Sequence, residues 1–269
     1  MGSADRKLKI MLLNPVAGPG FAEWIADAIR EYKDPNTLLT ITSLADRIGG
    51  TKTLAYPSVR PLLYAELIRA CLQARKEGYD AIVVNCFGDP LVNELRQICG
   101  DMIIVGVREA AVQAAARLGG RYAVMLPYEM EGLPDPFFEG LVQNTGAVVH
   151  PVVDAEFNED LTLRNVGGLQ ERMAVLGRRA IERDGAEVLV LGCTAMMGCW
   201  ARLMRAVGVP VIDPTIAALK VAVASAELRR QYGWGTSAKR GLNVPGSGEL
   251  EMISLSEKTY PFSRRIEVE

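Results

Sequence analysis

Residues 78–106 and 185–213 are two copies of one plan, and no other feature limits the fold so tightly. GYDAIVVNCFGDPLVNELRQICGDMIIVG and GAEVLVLGCTAMMGCWARLMRAVGVPVID align without a gap at an offset of 107. That alignment puts Cys193 on Cys86 and Ile212 on Val105. In each copy an apolar run ends at a thiol, a helix-compatible stretch follows, and a second apolar run closes the unit. The reading is strand–turn–helix–strand, twice, with a sulfur at the carboxyl end of each first strand. Two equivalent thiols on related half-molecules point to one site between the halves and to chemistry that needs a matched pair.

The rest of the chain fits the same scheme. Strands are expected over 8–13 and 38–42, with a helix over 20–32 ended by the turn signal Asp34, Pro35, Asn36. A loop rich in Gly, Thr, Pro and Ser covers 43–58, and Pro61 suits the first turn of a helix reaching Glu77. After a helix over 108–118 the plan restarts: RYAVMLP at 121–127 matches LKIMLLN at 8–14, an offset of 113. Then come a helix near 136–144, a strand over 148–153, a helix over 168–184 and the second copy. Strands alternating with helices predict an α/β fold of two pseudo-twofold-related domains, each a parallel sheet flanked by helices. The first domain is expected over 1–106 plus 214–234, its last helix (215–232) packing back on it. The second is expected over 107–213. Residues 235–269 read as a polar C-terminal tail, partly mobile.

Composition permits this and excludes much else. A chain of 269 residues, 49% apolar, can bury one large or two modest cores. Its net charge is −2 and no basic stripe is present, so nucleic acid is not an expected partner. No apolar run approaches the ~20 residues of a membrane span. MGSADRKLKI holds no hydrophobic signal core, so a cytoplasmic protein is expected. Five cysteines, mostly in apolar context, suit a reducing compartment better than a disulfide framework. The single histidine, His150, beside Pro151 at a strand end, reads as structural and leaves no multi-histidine metal site.

In an open parallel sheet, ligands bind beyond the carboxyl ends of the strands, where following helices point free N–H groups. Cys86 and Cys193 are expected at that strand-to-helix switch, where a helix N-terminus would favour the thiolate. The same N–H groups suit negative charge developing on a substrate oxygen. A thiolate on one face of an acidic carbon and a thiol on the other can remove a proton from one side and return it from the opposite side. The centre inverts without a cofactor. Proton transfer sets each sulfur roughly 3 to 3.5 Å from that carbon, so the two are expected to face each other across one interdomain cleft.

A lone cysteine often only fills space. Cys71, Cys99 and Cys199 are read that way, because each lies within or at the end of a helix-like segment. Cys193 and Cys199 are six apart, neither a redox CxxC pair nor a zinc spacing. Gly18, Pro19 and Gly20 follow the first strand as a dinucleotide loop would, but the third glycine position is Glu23, so no nucleotide cofactor is expected. Asp89 either orients a group in the site or caps a helix. Thr194 can donate to a substrate carbonyl, cap, or both. Asn85 either contacts ligand or caps, and Gly192 allows a tight backbone approach. Arg60 is either a surface charge or a partner for a substrate carboxylate.

CFGDP (86–90), GVREAA (106–111) and LGCT (191–194) resemble the aspartate/glutamate/hydantoin racemase superfamily. The form of the first cysteine motif resembles its hydantoin and allantoin racemase branch. The resemblance covers about residues 8 to 230. It implies a two-domain α/β fold with pseudo-twofold symmetry, cofactor-independent two-base racemisation, and Cys86 and Cys193 as the acid/base pair. Asn14 and Pro15 keep the start of the branch's Asn-Pro-Asn-Thr-Ser, while Val16, Ala17 and Gly18 replace its polar part. Ser58, Val59 and Arg60 stand for a Ser-Ile-Glu-like segment. Thr194, Ala195 and Met196 stand where Ala-Gly-Met is common.

The function expected is therefore a PLP-independent isomerase acting at the acidic carbon of a 5-substituted hydantoin or of allantoin. Its substrate-binding set is Asn14, Asn85, Phe87, Gly88, Gly192 and Thr194, with no metal and no cofactor. A hydantoin carbanion spreads over adjacent carbonyls, which suits weakly basic thiols, and the loops offer Val16, Ala17, Phe87, Met196 and Met197 rather than charge. An amino-acid racemase, a maleate-isomerase-like or arylmalonate-decarboxylase-like enzyme, and a non-catalytic small-molecule-binding protein stay open as alternatives. A homo-oligomer is compatible with the sequence.

Overall fold

The structure, a computed structural model, describes residues 6–17, 20–47, 54, 58–127, 148–152, 166–237, 239, 243–252 and 259–269. The expected helix near 136–144, most of the loop after residue 47 and the Gly18–Pro19 turn lie outside these residues. By its internal contacts the chain divides into two units. Unit 1 is Met1–Val107 with Ala218–Glu269, and unit 2 is Arg108–Ala217.

Unit 1 carries a five-stranded sheet in the order β4-β3-β1-β2-β9. Its strands are β1 (Leu8–Ala17), β2 (Thr37–Leu44), β3 (Ala81–Val84), β4 (Ile103–Gly106) and β9 (Ile266–Val268). The first four are parallel. They read as nearly unbroken apolar runs because both faces are covered, the normal condition of a parallel sheet. Met11, Leu13, Ile82, Val84 and Ile104 turn to one face. There they meet Leu63, Leu67 and Cys71 of α2 (Arg60–Lys76) and Leu95 and Cys99 of α3 (Val92–Cys99). Each such leucine, fully buried, contributes roughly 1.5–3 kcal/mol. Pro61 occupies the first turn of α2, and Arg75 and Lys76 in its last turn suit the negative end of the helix dipole. On the opposite face Ile10 and Leu39 line one cavity with Leu219 and Val223 of the long helix α7 (Pro214–Tyr232). α1 (Gly20–Ile29) contributes buried Ala22, Ile25, Ala26 and Ile29.

The C-terminal segment is not a free polar tail. β9 pairs antiparallel with β2, Leu39 opposite Val268 and Ile41 opposite Ile266. Thr40 donates its hydroxyl to the Glu267 carboxylate. The strand holds three residues, Ile-Glu-Val, too short for an alternating pattern to stand out against charged neighbours. It covers the backbone edge that β2 would otherwise present.

Unit 2 carries a four-stranded parallel sheet in the order β6-β5-β7-β8. Its strands are β5 (Tyr122–Pro127), β6 (Val148–Val152), β7 (Val188–Leu191) and β8 (Val211–Ile212). Ala123, Met125, Leu189, Leu191 and Val211 pack on Met173 and Ala180 of α5 (Val166–Asp184) and Leu203 of α6 (Trp200–Val207). α4 (Val107–Leu118) precedes β5.

The sequence repeat is also a repeat of strand pairing. Ile82 lies opposite Ile104 in unit 1, and Leu189 opposite Val211 in unit 2, each partner displaced by 107. The first strands differ from expectation by one residue. Leu13 pairs with Val84 and Met125 pairs with Leu191, so β1 maps on β5 with an offset of 112, not 113. Strands buried on both faces carry no polar–apolar alternation to fix register, so matching two apolar strings can slip by one. The counterpart of Asn14 is therefore Leu126 rather than Pro127.

Candidate active site

Each thiol of the pair lies two residues past the end of its strand. β3 ends at Val84 and β7 at Leu191. α3 and α6 begin only at Val92 and Trp200, so both cysteines stand between strand and helix, several residues before the first α-helical turn. Both are in loops. Cys193, extended at φ −148° and ψ 135°, precedes a short 3-10 turn over Thr194–Met196 and makes no side-chain cap to it. Cys86 and Cys193 are half-buried, whereas Cys71, Cys99 and Cys199 are buried, and none of the five forms a disulfide. Burial pushes the thiol of Cys99 up to about 12, pushes Cys71 well above its ordinary value and raises Cys199. These three stay protonated at neutral pH and suit packing rather than chemistry.

Around Cys86 the wall is polar. The backbone N–H of Asn85 donates to the carbonyl of Leu13 at 2.9 Å, which continues the β1–β3 ladder one step. Its side-chain Nδ2 donates to Asn14 Oδ1 at 2.8 Å, and Asn14 Nδ2 donates to Ser43 Oγ at 3.2 Å. All three side chains are buried. After the thiol, Phe87 is buried, Gly88 is half-buried, and Asp89 returns its N–H to the Cys86 carbonyl at 2.9 Å. Asp89 takes a left-handed backbone, φ 46°, which its short polar side chain tolerates better than most.

Around Cys193 the corresponding positions are apolar. Gly192 stands where unit 1 has Asn85, and its N–H donates to the Met125 carbonyl at 2.7 Å. No side chain fits there: a β-carbon on Gly192 would lie 2.5 Å from that carbonyl oxygen and 2.6 Å from Leu126 Cδ2. Leu126 thus fills the space that the amide pair occupies in unit 1. Thr194 and Ala195 are half-buried, Met196 and Met197 buried.

A carboxylate braces each thiol loop, reached from opposite directions. In unit 1 the loop supplies it. Asp89 lays its carboxyl over Gly106 at the end of β4, within 2.4–2.6 Å of where a β-carbon would stand. In unit 2 the strand end supplies it. Asp213, the repeat counterpart of Gly106, accepts the N–H of Gly198 in the loop at 3.1 Å. It also accepts those of Thr215 and Ile216 at the start of α7, at 3.0 and 3.2 Å. Burial raises its carboxyl above the ordinary value, and the three N–H groups oppose that shift. Asp213 and Ser43 escaped the sequence reading. The first reads as an ordinary cap before Pro214, and the second as one hydroxyl at the end of an apolar run. A glycine in one copy aligned with an acid in the other was the available signal for Asp213.

The expected substrate set thus falls into two groups. Asn14 and Asn85 are joined directly, with Phe87 and Gly88 following Cys86 in the same turn. Gly192 and Thr194 flank Cys193. Arg60 donates Nε to the Leu54 carbonyl at 2.8 Å, so part of its hydrogen-bonding capacity holds the loop before α2. His150 lies on β6, and its side chain is outside the described part. Among the described residues no three His, Cys, Asp or Glu side chains gather as a metal site, and no helix is long and apolar enough to cross a membrane.

Comparison with known proteins agrees with this architecture. A profile described as Asp/Glu/Hydantoin racemase matches residues 10–222. A hydantoin racemase of Paenarthrobacter aurescens is 28% identical over 250 residues, 88% of this chain and 98% of that protein. One of Pseudomonas sp. strain NS671 is 27% identical over 230 residues, 83% and 88% of the two chains. Among solved structures, an allantoin racemase from Klebsiella pneumoniae superposes with a TM-score of 0.75 at 25% identity, covering 93% of this chain and 99% of its own. With its two thiol-bearing α/β units and a profile match across most of its length, the chain belongs to the Asp/Glu/hydantoin racemase family.

Proposed function

We propose that this racemase, an isomerase, inverts the acidic ring carbon of a 5-substituted hydantoin or of allantoin by two-thiol proton transfer. The observation that carries the proposal is the selective placement of the thiols. Of the five cysteines, only Cys86 and Cys193 are half-buried, and they occupy the same step of a repeated strand pairing. One sulfur serves each face of the carbon. A thiolate takes the C5 proton, breaking C–H and forming S–H, and the electron pair spreads onto the neighbouring ring carbonyl. The opposing thiol then gives its proton to the other face, breaking S–H and forming C–H. Nothing is oxidised or reduced, no cofactor takes part, and the enzyme is left with its proton on the other sulfur.

The substrate class follows from the wall around Cys86. Asn14 and Asn85 are neutral amides, able to meet the N–H and C=O groups of an uncharged ring. A free amino acid would need partners for both a cationic amine and a carboxylate, and its α-proton is far less acidic. On the Cys193 side the apolar Leu126 and Met196 suit a ring substituent. The hydantoin and allantoin racemases among the similar proteins support the same class.

The test is incubation of each pure enantiomer in D₂O, with an enzyme-free control for spontaneous racemisation, followed by polarimetry and by loss of the C5 proton signal. Inverted product carrying deuterium is expected from a 5-alkyl hydantoin or from allantoin. Cys86→Ser and Cys193→Ser each abolish racemisation, and each retains at most exchange of one enantiomer. Full activity of either variant would overturn the two-thiol reaction. Turnover of glutamate or aspartate with no effect on any hydantoin would overturn the substrate class.

A further inference from the structure

The end of β2 is held from two directions. From inside the sheet, Ser43 Oγ receives Asn14 Nδ2, and Asn14 Oδ1 receives Asn85 Nδ2, in the residue before Cys86. From outside, the C-terminal segment grips residues 42–45. The Ser263 N–H donates to the Ser43 carbonyl at 3.2 Å. Thr42 Oγ1 reaches the carbonyls of Ser263 and Arg264, both at 3.3 Å, and the Ala45 N–H donates to the Tyr260 hydroxyl at 2.9 Å. Tyr260 is itself buried and packs edge-on against Phe262, ring centroids 5.2 Å apart. Its N–H donates to Gln73 of α2, while Arg265 holds Glu77 with two hydrogen bonds of 2.7 and 2.8 Å. The segment is therefore fastened at both ends of the stretch that touches β2, to Gln73 of α2 and to Glu77 just past its end.

We infer that residues 260–265 act as a strap that positions the amide pair beside Cys86, with Ser43 as the positioning residue through which it acts. This rests on the reading of Asn14 and Asn85 as the wall that meets the substrate ring. Asparagine amides have one donor end and one acceptor end on a freely turning bond, so their direction must be imposed by neighbours. Here Asn85 is directed by Asn14, Asn14 by Ser43, and the position of Ser43 by its grip on Ser263. Asn85, Asn14 and Ser43 are buried and Ser263 is half-buried, so water does not substitute for a lost partner within the amide pair without cost. Unit 2 holds Leu126 and Gly192 at the equivalent positions, so it has no amide pair to direct there.

Three variants of the full chain test this. Ser43→Ala removes the anchor of Asn14, Tyr260→Phe removes only the hydroxyl that holds the Ala45 N–H, and Glu267→Gln loosens β9 away from the stretch. Two readouts are taken: hydrogen-exchange protection of the Asn14 and Asn85 side-chain amides by ¹⁵N NMR, and KM and kcat for a 5-alkyl hydantoin. Ser43→Ala and Tyr260→Phe are expected to lose amide protection and to raise KM about tenfold, the equivalent of one displaced hydrogen bond, with kcat within about twofold of wild type. Glu267→Gln is expected to lower the unfolding midpoint yet leave KM and the amide signals unchanged. Retained amide protection in Ser43→Ala would overturn the inference, as would lost protection with wild-type KM. A wild-type protein that racemises no hydantoin would instead refute the proposed substrate, and the strap would then be decided by the amide signals alone.

Discussion

Gly192→Ala is the sharpest test of the structure around the second thiol. A single methyl group there would stand 2.5 Å from the Met125 carbonyl oxygen, 2.6 Å from Leu126 Cδ2 and 3.0 Å from Val124 Cγ1. Reaching even 3.0 Å from the carbonyl requires an opening of about 0.5 Å. The oxygen cannot yield easily, since it belongs to β5, which is paired with β6 on one side and β7 on the other. It also accepts the Gly192 N–H, so any movement costs that bond. Overpacking of a rigid site costs about 1–3 kcal/mol and a lost hydrogen bond about 0.5–1.5. Against these stands the ordinary gain of about 0.4–1 kcal/mol when alanine replaces glycine, through the unfolded chain. The net destabilisation expected is about 1–4 kcal/mol, read from urea unfolding midpoints, together with loss of racemisation because Cys193 is the next residue. Asn85→Ala at the equivalent position of unit 1 already has room for its β-carbon. Its cost, about 1–3 kcal/mol, comes from lost side-chain bonds such as that to Asn14, whose buried oxygen is left without it. A Gly192→Ala protein as stable as wild type would show that Leu126 and the Met125 carbonyl do not stand where described.

Two further outcomes are expected. In the native protein an alkylating reagent should label Cys86 and Cys193 and spare Cys71, Cys99 and Cys199, as counted by mass spectrometry. Serine at any of the latter three should keep racemisation and cost about 1–3 kcal/mol by burying a hydroxyl, and rapid native labelling of Cys71 would contradict this. At the amino end of the sheet, burial pushes the Asp80 carboxyl up, but the two bonds from Arg6 and one from the Lys9 N–H bring it below its ordinary 3.8. A carboxyl lowered by folding contributes stability above its unfolded value and loses it as pH falls through the folded one. Unfolding midpoints should therefore drop below about pH 4, and Asp80→Asn should be less stable at pH 7 with a flatter acid limb. An unchanged acid limb in that variant would refute the assignment.

The fold was legible wherever burial and repetition act together. β3 and β7 stand at the positions expected, because four apolar residues between a turn and a thiol leave little choice. The helices at Arg60–Lys76 and Pro214–Tyr232 begin beside prolines that mark a first turn. Register was not legible, since LKIMLLN and RYAVMLP are apolar on both faces and slide by one without penalty. Nor was β9, whose pairing depends on a neighbour more than two hundred residues away. The repeat singles out Cys86 and Cys193 as equivalent positions. Their settings were not legible, because the difference lies in which neighbour fills the space: an amide pair beside Cys86, a leucine beside Cys193. Polar links such as Ser43 and Asp213 depend on side-chain directions that a one-dimensional pattern does not hold.

The position of β9 also bears on the order in which a newly made chain becomes complete. Unit 2 is one uninterrupted stretch, while unit 1 is assembled from two stretches that flank it in sequence. During synthesis β1 to β4 emerge first, and the strand that covers the outer edge of β2 follows only after the whole of unit 2. Until then the nascent chain carries an open strand edge, the kind of surface that recruits other chains. A chain arrested before residue 260 would possess every parallel strand and both candidate catalytic thiols, and still lack the closing strand. Completion of the first unit therefore waits for residues 266–268, long after its own cysteine has been made.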